Sequence, residues 1–456
     1  MILIDSHAHL DFENYRDDLP DVLYNAASAD VKYIINIAID GKSIVNSIEL
    51  AEKFTHIYAA VGIHPHEADK YTEDDVALVE KYVTHPKVVA VGETSLDFYR
   101  DYADHDHQRD LFRKMIAIAK QHSKPLIIHN RAADQETLRI LREEDAGRLG
   151  GVFHCFAGDA GFAAEVLQSG FYISFAGNLT YPKSELPRTA EFVPIEKTLV
   201  ETDCPFLAPQ KKRGKRNEPA YVRWTAEKLA EIKGLTLEDT ARITTANVYR
   251  LFGAGPEPIT KIVYPIRNSL YVNLTNRCSC NCAFCPRLKN PMVKGHNLKL
   301  DKEPDFDDVV RDVSAFPSSF DELVFCGYGE PTLRFDLVKQ LSRRFRDRFP
   351  QIRLDTNGHG NLINGRDITA ELPGVIDSVS ISLNASDAES YIRINRPEYG
   401  PESFEAMLTF IKSCRERGVE VTATIVGFPG ADVEGTQKIA QKLDVKFRIR
   451  KYNDLG

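Results

Sequence analysis

The chain has 456 residues, of which 43% are hydrophobic and 27% are charged, and its formal net charge at pH 7 is −8. This length exceeds what one hydrophobic core usually serves, so it predicts two domains, and the composition is typical of a soluble globular protein. The acidic balance excludes a protein that coats nucleic acid through its overall charge. Because no apolar run reaches the ~18 residues of a membrane helix and the N-terminus lacks a signal-peptide pattern, we expect a cytoplasmic protein with no membrane partner.

Short apolar runs alternate with amphipathic helical stretches along the N-terminal part of the chain. The predicted strands are residues 2–5, 33–38, 57–62, 88–93, 126–129, 152–154, 172–174 and 199–202. Helical stretches such as residues 108–122 lie between them, with apolar residues at helical spacing. Eight strands, each followed by helical sequence, predict an α/β fold of the (β/α)8 barrel type for residues 1–252.

The alternation restarts after a proline-rich stretch without periodicity, GAGPEPIT, which begins at residue 253. We predict an interdomain linker at residues 253–264. Six further strands are predicted at residues 270–274, 323–326, 352–355, 379–383, 420–426 and 446–450. With the helical sequence between them, they indicate a partial (β/α)6 barrel in a second domain at residues 265–456.

Metal-binding residue types recur at the carboxyl ends of the predicted N-terminal strands. They are His7 and His9 after strand 1, Glu93 at strand 4, His129 at strand 5, His154 at strand 6 and Asp203 at strand 8. In a parallel barrel these strand ends converge on one mouth, and His-x-His spacing on an extended chain turns both imidazoles to the same side. A single histidine at a strand end is more often a core residue, but six placements on five strands favour a site for two divalent cations bridged by a carboxylate.

Two features favour a substrate that carries phosphate. His64 and His66 end strand 3 in the sequence GIHPH, where we expect His64 to contact a substrate phosphate. A basic run follows strand 8, and its members are Lys211, Lys212, Arg213, Lys215 and Arg216. Such a run is usually a solvated face, yet its position beside the mouth favours binding of backbone phosphate.

Seven stretches, in order along residues 1–252, resemble the motifs of the TatD family: IDSHAHLD, VGIHPHEA, VGETSLDFYR, PLIIHNRAAD, GGVFHCFAGD, LVETDCPFLAP and RGKRNEP. The resemblance implies a two-metal amidohydrolase-type barrel that cleaves phosphodiesters, typically as a magnesium-dependent deoxyribonuclease, with Mg²⁺, Zn²⁺ or Mn²⁺ as the cations. The ligands that it implies are His7, His9 and Asp203 for one cation, His129 and His154 for the other, and Glu93 as the bridge. It also implies that Asp203 is the general base. The chain departs from the family pattern at Thr94, Ser95 and Cys204, none of which is an implied ligand.

Four of the eight cysteines lie within residues 278–285. Cys278, Cys282 and Cys285 have Cys-x3-Cys-x2-Cys spacing directly after a predicted strand, and three thiolates in a short loop can hold three irons of a [4Fe–4S] cluster. A zinc site with Cys280 as the fourth sulfur is the alternative, although no second pair of ligands is evident nearby in the sequence. A disulfide framework does not fit a cytoplasmic protein of this size.

The same spacing, with Phe284 as the aromatic residue before the third cysteine, resembles the signature of the radical S-adenosylmethionine (SAM) superfamily. This resemblance implies a [4Fe–4S] cluster on the three cysteines, SAM as its partner, and an electron donor such as a flavodoxin or ferredoxin. The stretch FCGYGEPTL resembles the glycine–glutamate motif of that superfamily, although Tyr328 interrupts the usual tandem glycine. The SAM contacts that the resemblance implies are Gly329 and Glu330, followed by Asn384 and Arg396.

Together these motifs predict a bifunctional enzyme. The barrel would hydrolyse DNA or another phosphodiester substrate, and the second domain would perform radical chemistry on a substrate linked to the first. In one alternative, the barrel hydrolyses an ester or amide outside nucleic acids. In another, the second domain is a redox-sensing or docking module without turnover, which the complete cysteine triad and the glycine–glutamate motif argue against. The basic run favours the phosphodiester.

Overall fold

The computed structural model describes residues 1–285 and 291–452 of the chain. It divides into two compact units, residues 1–258 and residues 259–456. Each unit is built around hydrophobic clusters of its own residues. In the described ranges, no helix has both the length and the apolar character needed to cross a membrane.

The first unit is an eight-stranded parallel barrel. Its strands are β1 (Leu3–Ala8), β2 (Val31–Ile37), β3 (Ile57–Val61), β4 (Val88–Asp97), β5 (Leu126–Arg131), β6 (Gly151–Phe153), β7 (Tyr172–Phe175) and β8 (Thr198–Val200). Each strand pairs with the next in parallel, and a parallel bridge between Ala8 and Cys204 brings the end of β8 back to β1. The barrel predicted from the sequence is therefore confirmed.

Helices surround this barrel. They are α1 (Leu19–Ser28), α2 (Gly41–Lys53), α3 (Glu73–Tyr82), α4 (His105–His122), α5 (Asp134–Glu143), α6 (Ala160–Gln168), α7 (Leu186–Phe192), α8 (Val222–Lys233) and α9 (Leu237–Phe252). Local sequence sets their ends: Asp40 accepts a hydrogen bond from the backbone N–H of Ser43 at the start of α2, and Gly253 ends α9 in the left-handed conformation.

Two apolar layers hold the barrel together. Alternate strand residues such as Ile4 and Ile127 form one cluster, which the end of α9 completes with Val248 and Phe252. The intervening strand residues, such as Leu3, pack in a second cluster with the surrounding helices. Because apolar residues occupy both faces of the strands, the polar residues at their carboxyl ends stand out as a separate group.

The second unit contains six parallel strands with helices between them, as the sequence predicted, and one antiparallel strand. Its elements are β9 (Val263–Ile266), β10 (Ser269–Val272), β11 (Met292–Val293), β12 (His296–Asn297), α10 (Phe306–Ser314), β13 (Glu322–Phe325), α11 (Phe335–Phe345), β14 (Gln351–Thr356), α12 (Gly360–Asn364), β15 (Ser378–Ser382), α13 (Ala388–Asn395), α14 (Glu402–Glu416), β16 (Glu420–Gly427), α15 (Val433–Lys442) and β17 (Lys446–Lys451). The sheet order is β17-β16-β15-β14-β13-β10-β9, and β11 pairs with β12 in a separate hairpin.

Strand β9 was not predicted, and its first two residues lie in the stretch predicted as a linker. It pairs antiparallel with β10 through a tight turn, so that Tyr264 lies opposite Tyr271 and the two rings stack 5.4 Å apart. A four-residue strand with an internal proline carries little periodicity, which is why pairing with β10 rather than local sequence reveals it.

Candidate functional sites

The carboxyl ends of the barrel strands surround a cavity of about 640 Å³. Five of the six predicted metal ligands line it: His9, Glu93, His129, His154 and Asp203. The sixth, His7, is fully buried, with its Nε2 atom 3.2 Å from Glu93 Oε2. Parallel strand topology thus brings together six side chains that lie far apart in sequence.

Glu93 lies at the centre of this group, and its two carboxylate oxygens face different histidines. Oε2 lies 3.2 Å from His7 Nε2 and 3.8 Å from His9 Nε2. Oε1 lies 2.7 Å from both His129 Nδ1 and His154 Nε2. Burial opposes ionisation of Glu93, but His154 and the hydrogen bonds from His129 and His154 outweigh it and hold the pKa of this carboxyl well below its usual range.

On the Oε2 side, His7, His9 and Asp203 form one cluster. Asp203 Oδ1 lies 3.7 Å from His7 Nε2 and 3.6 Å from His9 Nε2, and the two Nε2 atoms are 3.3 Å apart. The other ring nitrogen of His9, Nδ1, lies 2.9 Å from the backbone carbonyl oxygen of Ile37. A proton on Nδ1 would leave the lone pair of Nε2 directed at the carboxylates, as metal-binding histidines require.

On the Oε1 side, His64 joins His129 and Glu93. Its Nε2 atom lies 3.5 Å from Glu93 Oε1 and 3.4 Å from His129 Nδ1, so His64 stands within the ligand group. Burial and the neighbouring charge of His129 lower the pKa of His64 to about 4, which leaves its imidazole neutral.

A carboxylate that the sequence analysis did not single out, Asp97, stands behind this second cluster. Its Oδ2 atom lies 2.8 Å from His66 Nε2 and 3.1 Å from His129 Nε2. The predicted strand ended at residue 93, whereas β4 continues to Asp97, four residues beyond Glu93 and on the same face. The even spacing between Glu93 and Asp97 was the signal in the sequence that could have identified Asp97. The contact between Asp97 and His66 gives the second histidine of the GIHPH motif a structural partner.

Glu201 is the second carboxylate that sequence reasoning missed. It is fully buried two residues before Asp203, and its Oε1 atom lies 3.5 Å from His154 Nδ1 and accepts a hydrogen bond of 2.5 Å from the backbone N–H of Cys155. A carboxylate behind an imidazole orients the ring and raises the basicity of the nitrogen that faces a metal. Glu201 and Asp97 occupy that position for one histidine each in the Oε1 cluster.

Hydrogen bonds from buried polar groups fix the backbone of the loop that carries Asp203. Asp203 has a left-handed backbone, with φ of 55°, and its N–H donates to the carbonyl of His7 at 2.9 Å. Asn217, in the RGKRNEP stretch, donates its side-chain amide to the carbonyls of Thr202 and Phe206 at 2.9 and 2.6 Å. Asn217 therefore fixes the backbone on both sides of Asp203.

The residues of this cavity fit a pair of divalent cations. Four histidines and the carboxylates of Glu93 and Asp203 are brought together in a largely buried space, and within the described part of the chain the Nδ1 atom of His7 has no hydrogen-bond partner. Buried groups of this kind are costly unless cations or hydrogen bonds satisfy them. A donor set of imidazole nitrogens with one shared carboxylate suits Zn²⁺ or another transition-metal dication better than Mg²⁺, which prefers oxygen ligands.

The basic run at residues 211–216 lies outside the lining of this cavity. Arg216 forms an ion pair with Asp18 at 2.5 Å, and Arg213 lies over the ring of Tyr181 at 4.6 Å. The arginine side chains that line the cavity are those of Arg100 and Arg131. The sequence showed a concentration of positive charge, but only the folded loop shows which charges have partners.

In the second unit, the cysteine loop follows β10. Cys280 is buried, whereas Cys278, Cys282 and Cys285 are partly exposed. The side-chain amide of Asn357 donates towards the sulfurs of Cys280 at 3.5 Å and Cys278 at 3.9 Å. Three accessible thiols around a buried fourth fit a cluster bound through Cys278, Cys282 and Cys285.

Cys280 faces a buried polar network instead of solvent. Its sulfur lies 3.8 Å from Nδ1 of His359, whose Nε2 atom is 2.9 Å from the hydroxyl of Tyr391. Contacts with the thiols of Cys278 and Cys282, together with burial, raise the pKa of the Cys280 thiol far above its ordinary value.

Glu330 connects the glycine–glutamate stretch to the cysteine loop and to β14. Its N–H donates to the carbonyl of Arg277 at 2.8 Å. Its carboxylate accepts hydrogen bonds from the hydroxyls of Thr332 and Thr356 at 2.6 and 2.8 Å and from the N–H of Asn357 at 2.8 Å. Most of the accepting capacity of this side chain is therefore used within the unit.

Asn384 and Arg396, the other predicted SAM contacts, differ in their surroundings. Asn384 is buried and donates to Asn395 Oδ1 at 3.1 Å, and the same oxygen lies 3.4 Å from the sulfur of Cys282. Arg396 is exposed, and its carbonyl accepts from the N–H of Asn281 at 3.3 Å. Asn384 is thus linked to the cysteine loop through one side chain, whereas Arg396 contacts that loop through its backbone.

Comparison with known proteins assigns both units. The profile of the TatD-related DNase family matches residues 4–253, and that of the radical SAM superfamily matches residues 272–443. YabD of Bacillus subtilis, an uncharacterized metal-dependent hydrolase, is 44% identical over 252 residues, which are 55% of this chain and 99% of YabD. YcfH of Escherichia coli K12, also an uncharacterized metal-dependent hydrolase, is 40% identical over 257 residues, 55% of this chain and 96% of YcfH.

A solved structure agrees with the sequence relatives. YjjV, a TatD homolog from Escherichia coli K12, superposes with a TM-score of 0.54 at 30% identity and covers 56% of this chain and 98% of its own. The matched part of this chain is the unit that carries the histidine and carboxylate clusters. The chain therefore belongs to the TatD-related DNase family, and its barrel is followed in the same polypeptide by a radical SAM domain.

Proposed function

We propose that the barrel hydrolyses phosphodiester bonds with two divalent cations and that the radical SAM domain uses a [4Fe–4S] cluster to cleave SAM and modify a second substrate. The observation that carries the first half is the position of Glu93, whose two oxygens face separate histidine clusters. A carboxylate in that position can belong to two cations at once.

The chain offers a ligand set for each cation. His7, His9 and Asp203 would hold one, His129 and His154 the other, with Glu93 shared between them. When bound, the cations act as Lewis acids that polarise the phosphate and lower the pKa of a water molecule. The residues behind the ligands, Asp97 and Glu201, keep the imidazoles oriented.

Asp203 is the group proposed to take the proton from the attacking water. Burial opposes its ionisation, but the hydrogen bond with His9 and the charges of His7 and His154 hold the pKa of its carboxyl below the ordinary value. Asp203 is therefore ionised and lines the cavity, as a general base must. The neutral imidazole of His64 could donate a hydrogen bond to a substrate oxygen from the other side.

A nucleic acid is the proposed phosphodiester, because the run Lys211–Arg216 presents cations on the surface after β8. Arg213 and Lys215 would contact backbone phosphates, whereas Arg216 is paired with Asp18 and Lys211 lies 3.7 Å from Glu227. Hydrolysis of a neutral ester or amide is the competing activity for a barrel of this kind. A neutral substrate does not need basic residues for binding. The salt dependence of substrate binding therefore distinguishes phosphodiester hydrolysis from ester or amide hydrolysis.

In the radical SAM domain, Cys278, Cys282 and Cys285 are the proposed cluster ligands. A cluster held by these cysteines would supply the electron for reductive cleavage of SAM, with a flavodoxin or ferredoxin as the proposed electron donor. Gly329, Glu330 and Asn384 would position SAM. The observation that supports this role is that all three residues are connected to the cysteine loop. Gly329 and Glu330 contact the backbone that precedes Cys278, and Asn384 is connected through Asn395.

Glu93→Gln tests the hydrolytic half of the proposal. The substitution keeps the size of the side chain but removes the charge shared by both cations, so we expect kcat on bis(p-nitrophenyl) phosphate to fall by at least about 100-fold. Bound divalent metal other than cluster iron, measured by plasma mass spectrometry, should fall from about two ions per chain to one or fewer. Glu185→Gln, at an exposed site in an ion pair with Arg188, is the matched control.

Two results would count against the proposal. Full activity and two bound ions in Glu93→Gln would refute the shared ligand. Hydrolysis of p-nitrophenyl acetate or amide substrates by the metal-loaded protein, without hydrolysis of any phosphodiester, would establish the competing activity.

A further inference from the structure

Two arginines stand at the β4–β5 side of the metal cavity. Arg131 is the last residue of β5, two residues after His129, so both side chains leave the strand on the same face. Asp97 and Arg131 are directly paired in register between β4 and β5, and Arg100 follows Asp97 after a short turn. Arg100 and Arg131 both line the cavity with Glu93 and His129.

The hydrogen-bond donors of these two guanidinium groups are unused within the described residues. Over residues 1–285 and 291–452, no carboxylate oxygen lies within 4.0 Å of either group, whereas Arg109 on the outer surface pairs with Glu136 at 2.6 Å. Instead, the guanidinium carbon of Arg131 lies 4.1 Å, and that of Arg100 5.4 Å, from the ring centre of Tyr99. Stacking on an aromatic ring holds a guanidinium group in place while its N–H donors remain free.

Their charge is not needed for the cations that the cavity is built to hold. Glu93 and Asp203 provide negative charge at the metal clusters, and the scissile phosphate would bind there. Two arginines at the rim would repel a metal ion, but they suit a second anionic group of the substrate. A planar guanidinium group can bind a phosphate through two parallel hydrogen bonds. The ammonium group of a lysine, which acts as a point charge, does not provide this geometry.

We propose that Arg100 and Arg131 form a phosphate clamp, a subsite that binds a non-scissile phosphate next to the bond being cleaved. The clamp rests on the proposed phosphodiester hydrolysis and adds a requirement to it. The preferred substrate carries at least two phosphates, one at the metal clusters and one at the clamp. Substrates with a single phosphodiester and no further phosphate would leave the clamp empty.

Dinucleotides that differ in one terminal phosphate test the clamp. The metal-loaded full chain is assayed on the thymidine dinucleotide TpT and on its 5′- and 3′-phosphorylated forms, which share the same scissile bond. At least one added phosphate should raise kcat/KM by about tenfold or more, the contribution expected from charge-assisted hydrogen bonds. In Arg100→Gln/Arg131→Gln that preference should fall to about onefold, while kcat/KM on unphosphorylated TpT stays within about twofold.

Matched variants exclude a general effect on folding or charge. Arg188→Gln removes an exposed arginine that pairs with Glu185 outside the cavity lining, and it should keep the full preference for the added phosphate. Arg100→Lys/Arg131→Lys keeps the charge but not the paired donors, so its preference should be intermediate. A preference that survives in the double glutamine variant, or an equal loss on all dinucleotides, would overturn the clamp.

Binding measurements separate failure of the clamp from failure of the proposed function. Isothermal titration calorimetry of the same dinucleotides into the full chain measures how much the added phosphate raises the binding affinity, and this measurement does not depend on turnover. Arginine-dependent binding in a protein that cleaves no dinucleotide would keep the clamp and refute phosphodiester hydrolysis. Cleavage without any arginine-dependent preference would refute the clamp alone.

Discussion

Individual buried side chains define the hydrolytic centre, and the carboxylates behind the ligands are as informative as the ligands themselves. Asp97 contacts both His66 and His129, and Glu201 contacts the ring of His154. Each places a negative charge where it can orient an imidazole towards Glu93. Each proposed ligand on the Oε1 side of Glu93 is therefore held by a second carboxylate before any cation is bound, which fixes the geometry of the centre.

Single cysteines decide the assignment of the cluster. Cys282→Ala removes one of three proposed ligands, so anaerobically reconstituted protein should lose its approximately four irons and its ability to cleave SAM to 5′-deoxyadenosine and methionine. Cys280→Ala should leave iron content nearly unchanged, because that thiol is buried against His359. Iron analysis and electron paramagnetic resonance measure the difference between the two variants.

The opposite pattern would reassign the ligands. If Cys280→Ala lost the cluster while Cys282→Ala kept it, Cys280 would be a ligand. Stoichiometric zinc in the purified protein, together with no cleavage of SAM, would refute the radical assignment altogether.

At the scale of elements, the position of the glycine–glutamate turn depends on the cysteine loop beside it. A Cβ atom on Gly329 would lie 2.1 Å from the carbonyl oxygen of Arg277 and 2.6 Å from that of Thr275. The two segments therefore pack backbone to backbone, and only glycine permits this approach. Tyr328, which replaces the usual glycine, donates its N–H to Asn273 at 3.1 Å instead.

Gly329→Ala should force these two segments apart. We expect a loss of about 1–3 kcal/mol in stability, the usual cost of overpacking, and a lower iron content because the shift moves the residues that precede Cys278. Gly427→Ala is the matched control, since its Cβ would lie 3.5 Å from the nearest atom of Ile449. Equal unfolding temperatures and iron contents for the two variants would contradict the close packing.

At the scale of the whole molecule, the two units have separate cores. The clusters that hold the barrel draw only on residues of the first unit, and the cluster of the radical SAM domain draws only on residues of the second. Neither core includes a residue from the other unit, so each satisfies the usual condition for folding independently.

We therefore expect residues 1–258, produced alone, to unfold in a single cooperative transition and to bind as many divalent cations as the barrel binds within the full chain. Hydrolysis of bis(p-nitrophenyl) phosphate should stay within about threefold of the full chain, because all six predicted ligands of the barrel cations lie within this segment. Calorimetry and steady-state kinetics provide the measurements, with Glu93→Gln in the same segment as the inactive control. An aggregated or metal-free product would show that the barrel needs the second unit.

The amino-acid sequence by itself determined the eight-stranded barrel and the second set of six strands, because apolar periodicity is local and parallel connections leave few topologies. It also showed the convergence of His7, His9, Glu93, His129, His154 and Asp203, since the ends of parallel strands must share one face. The spacing of the cysteine loop is likewise a local property. In each case, local patterns within single strands, helices or loops were sufficient, together with the rule that parallel strands end at one face.

Only the tertiary structure decided which charged groups have partners. Asp97 and Glu201 gain their roles from histidines on neighbouring strands, and Arg216 is paired with Asp18, nearly two hundred residues away. The guanidinium groups of Arg100 and Arg131, which have no ion-pair partner among the residues that the structure describes, could not be distinguished from other arginines by their sequence neighbours. Pairing, burial and free donors depend on contacts between distant segments, and local patterns contain no record of those contacts.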